Sequence, residues 1–295
     1  MLAPPLSELS ERHCDPWQQG DQDTPCTRAT PVAHFVQAAA AVPGSWALTS
    51  SALALALALP GLALFQVGLL RTGSVNTLLL HHLVTAAAVS LLWVLGGFSA
   101  FASTAGMVPG SLDLRSVVGR LDPTWLQALL DAPAGGGVQQ LLRAAYHAVP
   151  AILAPCIAAS AAAERVKPLA MLLLSALWLP CVYIPVAHAA AAGPGGLLWD
   201  LGVFDGAGNL ALNVSSGFSA LALAAAAGVR RDRPRMIGEG GTPQGGHNLP
   251  NTVLGLALLA VGWLALLAGA APSGAAAVST VIYAQVRLWR RSASS

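Results

Sequence analysis

Charged side chains are scarce in this sequence. Asp, Glu, Lys and Arg make up 9 % of its 295 residues, whereas 55 % are hydrophobic and the mean hydropathy is +0.63. Soluble domains carry about 25 % charged residues. Because a water-soluble core cannot absorb so much apolar surface, the composition excludes a soluble globular protein and indicates a chain embedded in lipid.

Catalytic and metal-binding motifs are also missing from the sequence. The chain contains no H-E-x-x-H and no G-x-S-x-G motif. Its seven His and four Cys show no metal-ligand spacing. The Gly-rich segment Gly238–Gly246 lacks the Gly-Lys-Ser/Thr ending of a phosphate-binding loop, and a flexible connector is the simpler interpretation. These absences argue against an enzyme, and the sequence predicts no cofactor and no metal.

Seven apolar stretches, each about long enough to cross a bilayer, divide the chain. A hydrocarbon core of about 30 Å needs about 20 helical residues per crossing, because backbone polar groups cannot stay unpaired in lipid. The last stretch is short and carries Gln285 and Arg287, so a re-entrant segment is the alternative to a seventh crossing. The predicted fold is all-α and polytopic. The spans are Trp46–Leu70, Val75–Ala102, Leu141–Ala163, Pro168–Ala192, Gly206–Val229, Leu249–Ala270 and Ser273–Trp289.

The positive charges alternate in step with these spans, and ten of the 15 Lys and Arg fall on one face. They are Arg71, Arg165, Lys167, Arg230, Arg231, Arg233, Arg235, Arg287, Arg290 and Arg291. Lys and Arg concentrate in cytoplasmic loops, so this face is predicted to be cytoplasmic, with the N-terminus outside and the C-terminus inside the cell membrane. The net charge of +2 therefore indicates topology and not a nucleic-acid partner.

The chain is expected to have three parts. Residues 1–45 lack a signal-peptide layout and are predicted to be a weakly ordered extracytoplasmic segment. A transmembrane domain follows over 46–289, and 290–295 form a cytoplasmic tail. Cys14 and Cys26 lie on the oxidising side in this topology, where either a disulfide or two free thiols fits the sequence.

Short motifs in a fixed order carry a resemblance to a known family. They are WALTSSALALALALPGLALFQVGLLRTGSVN from Trp46, VSLLWVLGGFS (Val89–Ser99), APCIAASAAAER (Ala154–Arg165), YIPVAH (Tyr183–His188), FDGAG (Phe204–Gly208), HNLP (His247–Pro250) and GW (Gly262–Trp263). Together they resemble the ammonium transporter family (Amt/Mep/Rh) over residues 46 to about 285. The resemblance implies two inverted five-helix repeats around a pore in each subunit of a trimer, usually with eleven spans. The seven predicted spans of this chain are similar to the first seven spans of the family, so it resembles a shortened and divergent member.

The resemblance also assigns positions along the solute path. At the outer mouth, Ala191 replaces a cation-binding tryptophan and Ala270 replaces a serine, the latter counted from Trp263. Pro150 and Leu266 occupy the places of two stacked phenylalanines that gate the pore. None of the four substitutes can bind a cation through a ring or a hydroxyl.

Further path positions follow from the same motifs. Asn213 replaces a mid-pore histidine, and because an amide does not titrate near neutrality, proton relay by that side chain is lost. Asp205 is retained, either as a pore-organising carboxylate or as a helix N-cap, with the cap favoured. His147 is a candidate mouth residue, and His188 of YIPVAH is expected to fix helix packing at the outer end. His81 and His82 are interpreted as satisfied neutral histidines, with a cytoplasmic vestibule as the alternative for one of them.

Two functions fit these observations. The first is a transporter-like protein for ammonium or ammonia whose path residues are degenerate, acting as a homotrimer or together with a full-length transporter. The alternative is a non-transporting paralogue that serves as a partner or regulatory subunit of a full-length transporter or a signalling protein.

Overall fold

Six long apolar helices form the described part of the chain. The computed structural model describes residues 44–70, 74–121, 136–163, 165–203, 205, 208, 210–228, 246 and 248–270. The helices are α1 (Gly44–Leu69), α2 (Val75–Ala102), α3 (Gly136–Ala162), α4 (Pro168–Ala191), α5 (Leu210–Ala227) and α6 (Leu249–Gly269). All six are long and apolar enough to cross a membrane. The predicted all-α, polytopic fold is confirmed, and these helices correspond to the first six predicted spans.

Other expectations lie outside the described residues. They concern the seventh span Ser273–Trp289, the Cys14–Cys26 pair, the Gly-rich segment Gly238–Gly246 up to residue 245, the arginines of 230–235 and the tail 290–295.

Consecutive helices run in opposite directions, which gives the bundle two ends. At one end the amide of Asn248, just before α6, donates to the carbonyl of Gly68 near the end of α1, over 3.3 Å. At the other end the indole of Trp46 in α1 donates to the carbonyl of Ala268 in α6. The first is called the Arg165 end, after the residue that follows α3 there, and the second the Asp205 end, after the residue that precedes α5.

Glycines let α1 and α6 pack backbone to backbone. A Cβ added at Gly61 would overlap the backbone of Leu259, and one added at Gly262 would overlap the backbone of Ala58. Small residues at helix interfaces are the usual means of close approach in membranes, where lipid offers no hydrophobic drive between helices. The α1–α6 pair is therefore a tightly fitted antiparallel seam.

Three helices contain a π-helical turn, which shifts side chains out of the ordinary helical period. In α2 the turn spans Trp93–Gly97, in α4 it spans Leu179–Tyr183, and α5 begins with one at Leu210–Val214. Because each turn takes up extra residues, Trp178 and Tyr183 meet with ring centroids 6.2 Å apart although five positions separate them.

Prolines lie inside α1, α3 and α4. Pro60 lies inside α1, and Pro150 and Pro155 lie inside α3, with each helix continuing past its proline. Pro180 sits within the π-helical turn of α4, where the altered bonding pattern accommodates the missing amide proton.

Candidate solute pathway

Asp205 organises the start of α5 at the Asp205 end. Its Oδ2 accepts hydrogen bonds from the amides of Leu210 at 3.0 Å and Ala211 at 3.5 Å. A carboxylate here satisfies amides that lack helical partners and lies at the positive end of the helix dipole. Within the described residues α5 begins at Leu210, and Gly208 ahead of it has φ +73°, so the Asp205 carboxylate reaches the first amides of the helix from before this turn.

Tyr146 joins α3 to the end of α6. Its hydroxyl donates to the backbone carbonyl of Leu266 over 2.6 Å. The last four carbonyls of a helix have no helical donor, so Tyr146 satisfies one of them and Trp46, at 3.2 Å from the Ala268 carbonyl, satisfies another. Two helices, α1 and α3, thus supply side-chain donors to the last turn of α6.

The two positions assigned to the gate are packed inside the bundle. Leu266 is 1 % exposed and belongs to the same core cluster as Tyr146 and Val149, next to the buried Pro150. Gly208 of the loop before α5 lies against the Pro150 ring, since a Cβ there would be 4.0 Å from its Cβ and Cγ. Side chains of this size and apolarity exclude water without offering a ring face to a cation.

Aromatic rings from neighbouring helices pack in the same core cluster as Leu266. The His147 ring lies 4.7 Å from Phe101 and 5.3 Å from Tyr146, and Phe101 lies 5.7 Å from Trp93. Trp93 in turn lies 6.3 Å from Tyr183. His147 is thus held between rings, half-buried. Neither Phe101 nor Tyr146 is among the path residues predicted from the motifs, although Tyr146 precedes His147 directly.

His188 ties three segments together at the Asp205 end. Its ring is fully buried, with Nδ1 2.7 Å from the carbonyl oxygen of Phe101 and Nε2 3.0 Å from that of Arg115. The first carbonyl belongs to the end of α2 and the second to the short 3₁₀ turn Leu114–Ser116. The contacts are those of a packing residue, and they hold the α2–α3 connection against α4.

The remaining path positions are placed in two different surroundings. Ala191, Trp263 and Ala270 are partly buried and pack against the main core. Asn213 is exposed on the outer surface of the α5 π-helical turn, whereas its neighbours Ala211 and Leu212 are buried. The structure therefore brings Pro150, Leu266, His147 and Asp205 to one region and leaves Asn213 apart from it.

Metal coordination has no basis in the described part of the chain. There, no group of three or more His, Cys, Asp or Glu side chains comes close enough to hold an ion.

The sequence matches a known family over most of its length. A family model described as the Ammonium Transporter Family matches residues 45–286. This chain belongs to the ammonium transporter family. The resemblance drawn from its motifs is confirmed, and the chain is a multi-pass membrane protein of that family.

Curated relatives support the assignment. Ammonium transporters of Mycobacterium bovis and Mycobacterium tuberculosis are each 34 % identical over 259 residues, which cover 81 % of this chain and 53 % of theirs. Ammonium transporter Amt1 of Archaeoglobus fulgidus is 34 % identical over 227 residues, 77 % of this chain and 52 % of its own. The chain spans about half the length of the curated relatives it matches.

Solved structures share the helical arrangement. Mep2 of Saccharomyces cerevisiae superposes with a TM-score of 0.63 at 25 % identity, covering 78 % of this chain and 50 % of Mep2. Candida albicans Mep2 superposes with a TM-score of 0.60 at 26 % identity, covering 78 % and 48 %. A sensor Amt protein, 22 % identical with a TM-score of 0.66 over 80 % of this chain and 56 % of its own, shows the shared fold alone.

Proposed function

We propose that this chain contributes to the movement of ammonia across a membrane, in the uncharged form. The observation that carries the proposal is the set of side chains at the path positions: Ala191, Ala270, Pro150 and Leu266 supply neither an aromatic ring nor a hydroxyl, in a chain that otherwise keeps the family fold. A bare cation costs too much to place in such an apolar passage. A neutral solute avoids most of that cost.

Asn213 supports the same conclusion from the chemistry of proton transfer. An amide donates and accepts hydrogen bonds but does not titrate near neutrality. The position that the resemblance assigns to a mid-pore histidine therefore supplies no side chain that takes up a proton near neutrality. We expect ammonium to lose its proton in bulk water before ammonia enters.

We also propose that the chain works within a larger assembly of helices. The relatives named above are about twice as long, and α5 exposes Phe218 at 71 % and Leu221 at 67 %. We expect further helices, from this polypeptide or from an associated one, to cover that face and complete the path. A homotrimer and a hetero-assembly with a full-length transporter are the two candidate arrangements.

The orientation follows from the charges. Arg165 and Lys167 lie at the Arg165 end, and most of the other Lys and Arg of the sequence are assigned to the same face. We propose that this end faces the cytoplasm and that the membrane is the cell membrane. The orientation is tested in a protein without the native cysteines, with a single cysteine placed at Lys167 or at Ala105. Intact cells are then labelled with an impermeant thiol reagent. Labelling of the 167 site alone would contradict this orientation.

The activity is tested in proteoliposomes that contain only this chain and a luminal pH indicator. When an ammonium salt is added outside, ammonia that enters binds a proton and raises the luminal pH. The proposal expects a faster rise than in protein-free liposomes and in liposomes with an unrelated multi-pass protein at equal density. A rise at the protein-free rate, with the chain correctly inserted, would contradict transport by this chain alone.

A second function is favoured by the packing at the gate positions. Leu266 and Pro150 are buried, and the Tyr146–Leu266 hydrogen bond closes the Asp205 end between α3 and α6. A sealed bundle of this kind suits a non-transporting partner of a full-length transporter. Co-expression with such a transporter, followed by copurification of the two at a fixed ratio and a change in the transporter's flux, would support this function over the first.

A further inference from the structure

Four buried polar atoms at the Arg165 half of α1 and α2 have no hydrogen-bond partner in the described part of the chain. They are Oε1 of Gln66, Nδ1 of His81, Nε2 of His82 and Oγ1 of Thr85. His81 and Thr85 are 0 % exposed, His82 is 4 % and Gln66 is 7 % exposed. Such atoms are rare in folded proteins because a buried polar group without a partner loses the hydrogen bonds that it would make with water. Four in one region indicate a function beyond packing.

The bonds that these histidines do make fix which ring nitrogen is free to accept. Nδ1 of His82 lies 2.9 Å from the carbonyl oxygen of Leu78, and Nε2 of His81 lies 3.1 Å from that of Val166. A carbonyl only accepts, so the ring N–H must lie on the bonded nitrogen in each case. In the neutral rings, Nε2 of His82 and Nδ1 of His81 are therefore lone-pair acceptors.

The helix places Thr85 over the same turn. Residues three and four positions apart lie on one helix face, so Thr85 shares a face with His82 and His81. Helical side chains lean towards the N-terminus, which brings the Thr85 hydroxyl above the turn that holds both histidines. On the α3 side, Sγ of Cys156 lies 4.0 Å from the carbonyl oxygen of His82, so α3 covers this turn.

Gln66 approaches the same level from α1. Its neighbour Val67 packs in one buried cluster with Leu78 of α2 and Ala163 after α3. Leu78 is one helical turn before His81 and His82. Gln66 thus places a buried amide oxygen on α1 at about the same level along the bundle as the two imidazoles.

The chemistry of these atoms defines what can bind. Two ring nitrogens and one amide oxygen accept hydrogen bonds, while only the Thr85 hydroxyl can also donate. The described acidic residues Asp113, Asp200 and Asp205 all lie at the opposite end. The described cations at this end are Lys167 and Arg165, whose Nε is also buried without a partner among the described residues. The region therefore suits a small donor without charge.

We propose that His82 and Thr85, flanked by His81 and Gln66, form a binding site for a small neutral hydrogen-bond donor, ammonia or water, on the Arg165 side of the path. The assignment of ammonia rests on the proposed function, whereas the site itself does not. Ammonia offers three N–H donors and water two O–H donors to the same acceptors. The site would take over the solvation of the solute that the apolar gate region cannot supply.

Nitrogen NMR of the full chain in lipid bilayers tests the site without any transport measurement. The protein carries ¹⁵N-histidine, and the His82 signal is identified by its loss in His82→Phe. The unprotonated Nε2 is expected to resonate at a position shifted by an accepted hydrogen bond, and ammonium chloride is expected to shift it further than sodium chloride at equal pH and ionic strength. If Nε2 resonates at the same chemical shift in both salts, and that shift is typical of an accepted hydrogen bond, the site is assigned to water. If Nε2 resonates in both salts at the chemical shift of a ring nitrogen without a hydrogen-bond donor, the proposal is overturned.

Flux measurements test the link to ammonia. Thr85→Val removes the hydroxyl and keeps the shape, and loss of one hydrogen bond predicts an ammonia permeability about three- to tenfold lower in proteoliposomes. Ser175→Ala is the matched control, because Ser175 is a buried hydroxyl that already donates to the Leu172 carbonyl. Equal permeability of Thr85→Val and the parent would overturn the role in the ammonia path. If the parent itself shows no flux, the proposed function fails, and the NMR shift still decides the site.

Discussion

The Tyr146 hydroxyl and the Leu266 carbonyl form a 2.6 Å hydrogen bond that joins the third helix of the bundle to the last turn of the sixth. Leu266 stands where the family resemblance assigns one half of an aromatic gate, and Pro150, one helical turn after Tyr146, stands at the other half. A bond between helices at this point ties α3 to the last turn of α6 beside the positions assigned to the gate.

Tyr146→Phe removes this bond and leaves the Leu266 carbonyl buried without a donor. We expect the free energy of unfolding in lipid or detergent to fall by about 1–2 kcal/mol. Trp46→Phe is the control at the same helix end, because its bond to the Ala268 carbonyl is exposed and water can replace it. Equal loss of stability in the two variants would show that the buried bond has no special weight.

The α1–α6 seam predicts a strong dependence on glycine. Gly262→Ala places a Cβ against the Ala58 backbone, which must move, so we expect a loss of about 1–3 kcal/mol in the free energy of unfolding. Gly217→Ala in α5 is the matched variant, since a Cβ there meets nothing within 4 Å. It should be neutral or stabilise the helix slightly. Thermal unfolding in the same detergent compares the two, and a harmless Gly262→Ala would argue against the seam.

Asp205 acts on the start of α5 through its carboxylate. Asp205→Ala should destabilise the protein by about 0.5–2 kcal/mol, whereas Asp205→Asn should cost much less because asparagine caps helices about as well. Ammonia permeability of Asp205→Asn distinguishes the two interpretations of this residue. Parent-like flux fits a cap, and a large loss of flux in a stable Asp205→Asn protein would show that the negative charge serves the solute path.

The contacts of His188 hold the α2–α3 connection against α4, so replacing His188 should loosen that connection. His188→Leu loses both polar contacts, to the carbonyls of Phe101 and Arg115, and should release residues 103–121 from α4. We expect faster proteolysis within that segment and a stability loss of about 1–3 kcal/mol. His147→Leu, which replaces a half-buried ring, serves as the comparison. Unchanged proteolysis in His188→Leu would remove His188 from this role.

The helices could be predicted from the sequence because lipid imposes a simple length rule. Each described span shows as an apolar run, and its ends are marked by prolines, glycines or charges, as at Pro168 and Arg165. The family followed from motifs in a fixed order. Asp205 was expected to cap α5 because an acidic residue precedes the apolar run, and its carboxylate accepts from the amide of Leu210.

The aromatic surroundings of the candidate path could not be predicted in the same way. Trp93 and Phe101 are eight positions apart, and only the π-helical turn at Trp93–Gly97 settles which neighbours they face. The sequence likewise does not reveal which nitrogen of His82 is bonded. His81 and His82 were expected to be satisfied, yet each keeps one buried nitrogen without a described partner.

We propose that uncharged ammonia, and not the ammonium ion, is what this chain helps to move. The most direct test records luminal pH and transmembrane current together in bilayer-reconstituted protein during a step in ammonium concentration. The account predicts a luminal pH rise faster than in protein-free membranes with no accompanying current. A current carried inward with ammonium, or a pH rise no faster than without protein, would contradict it.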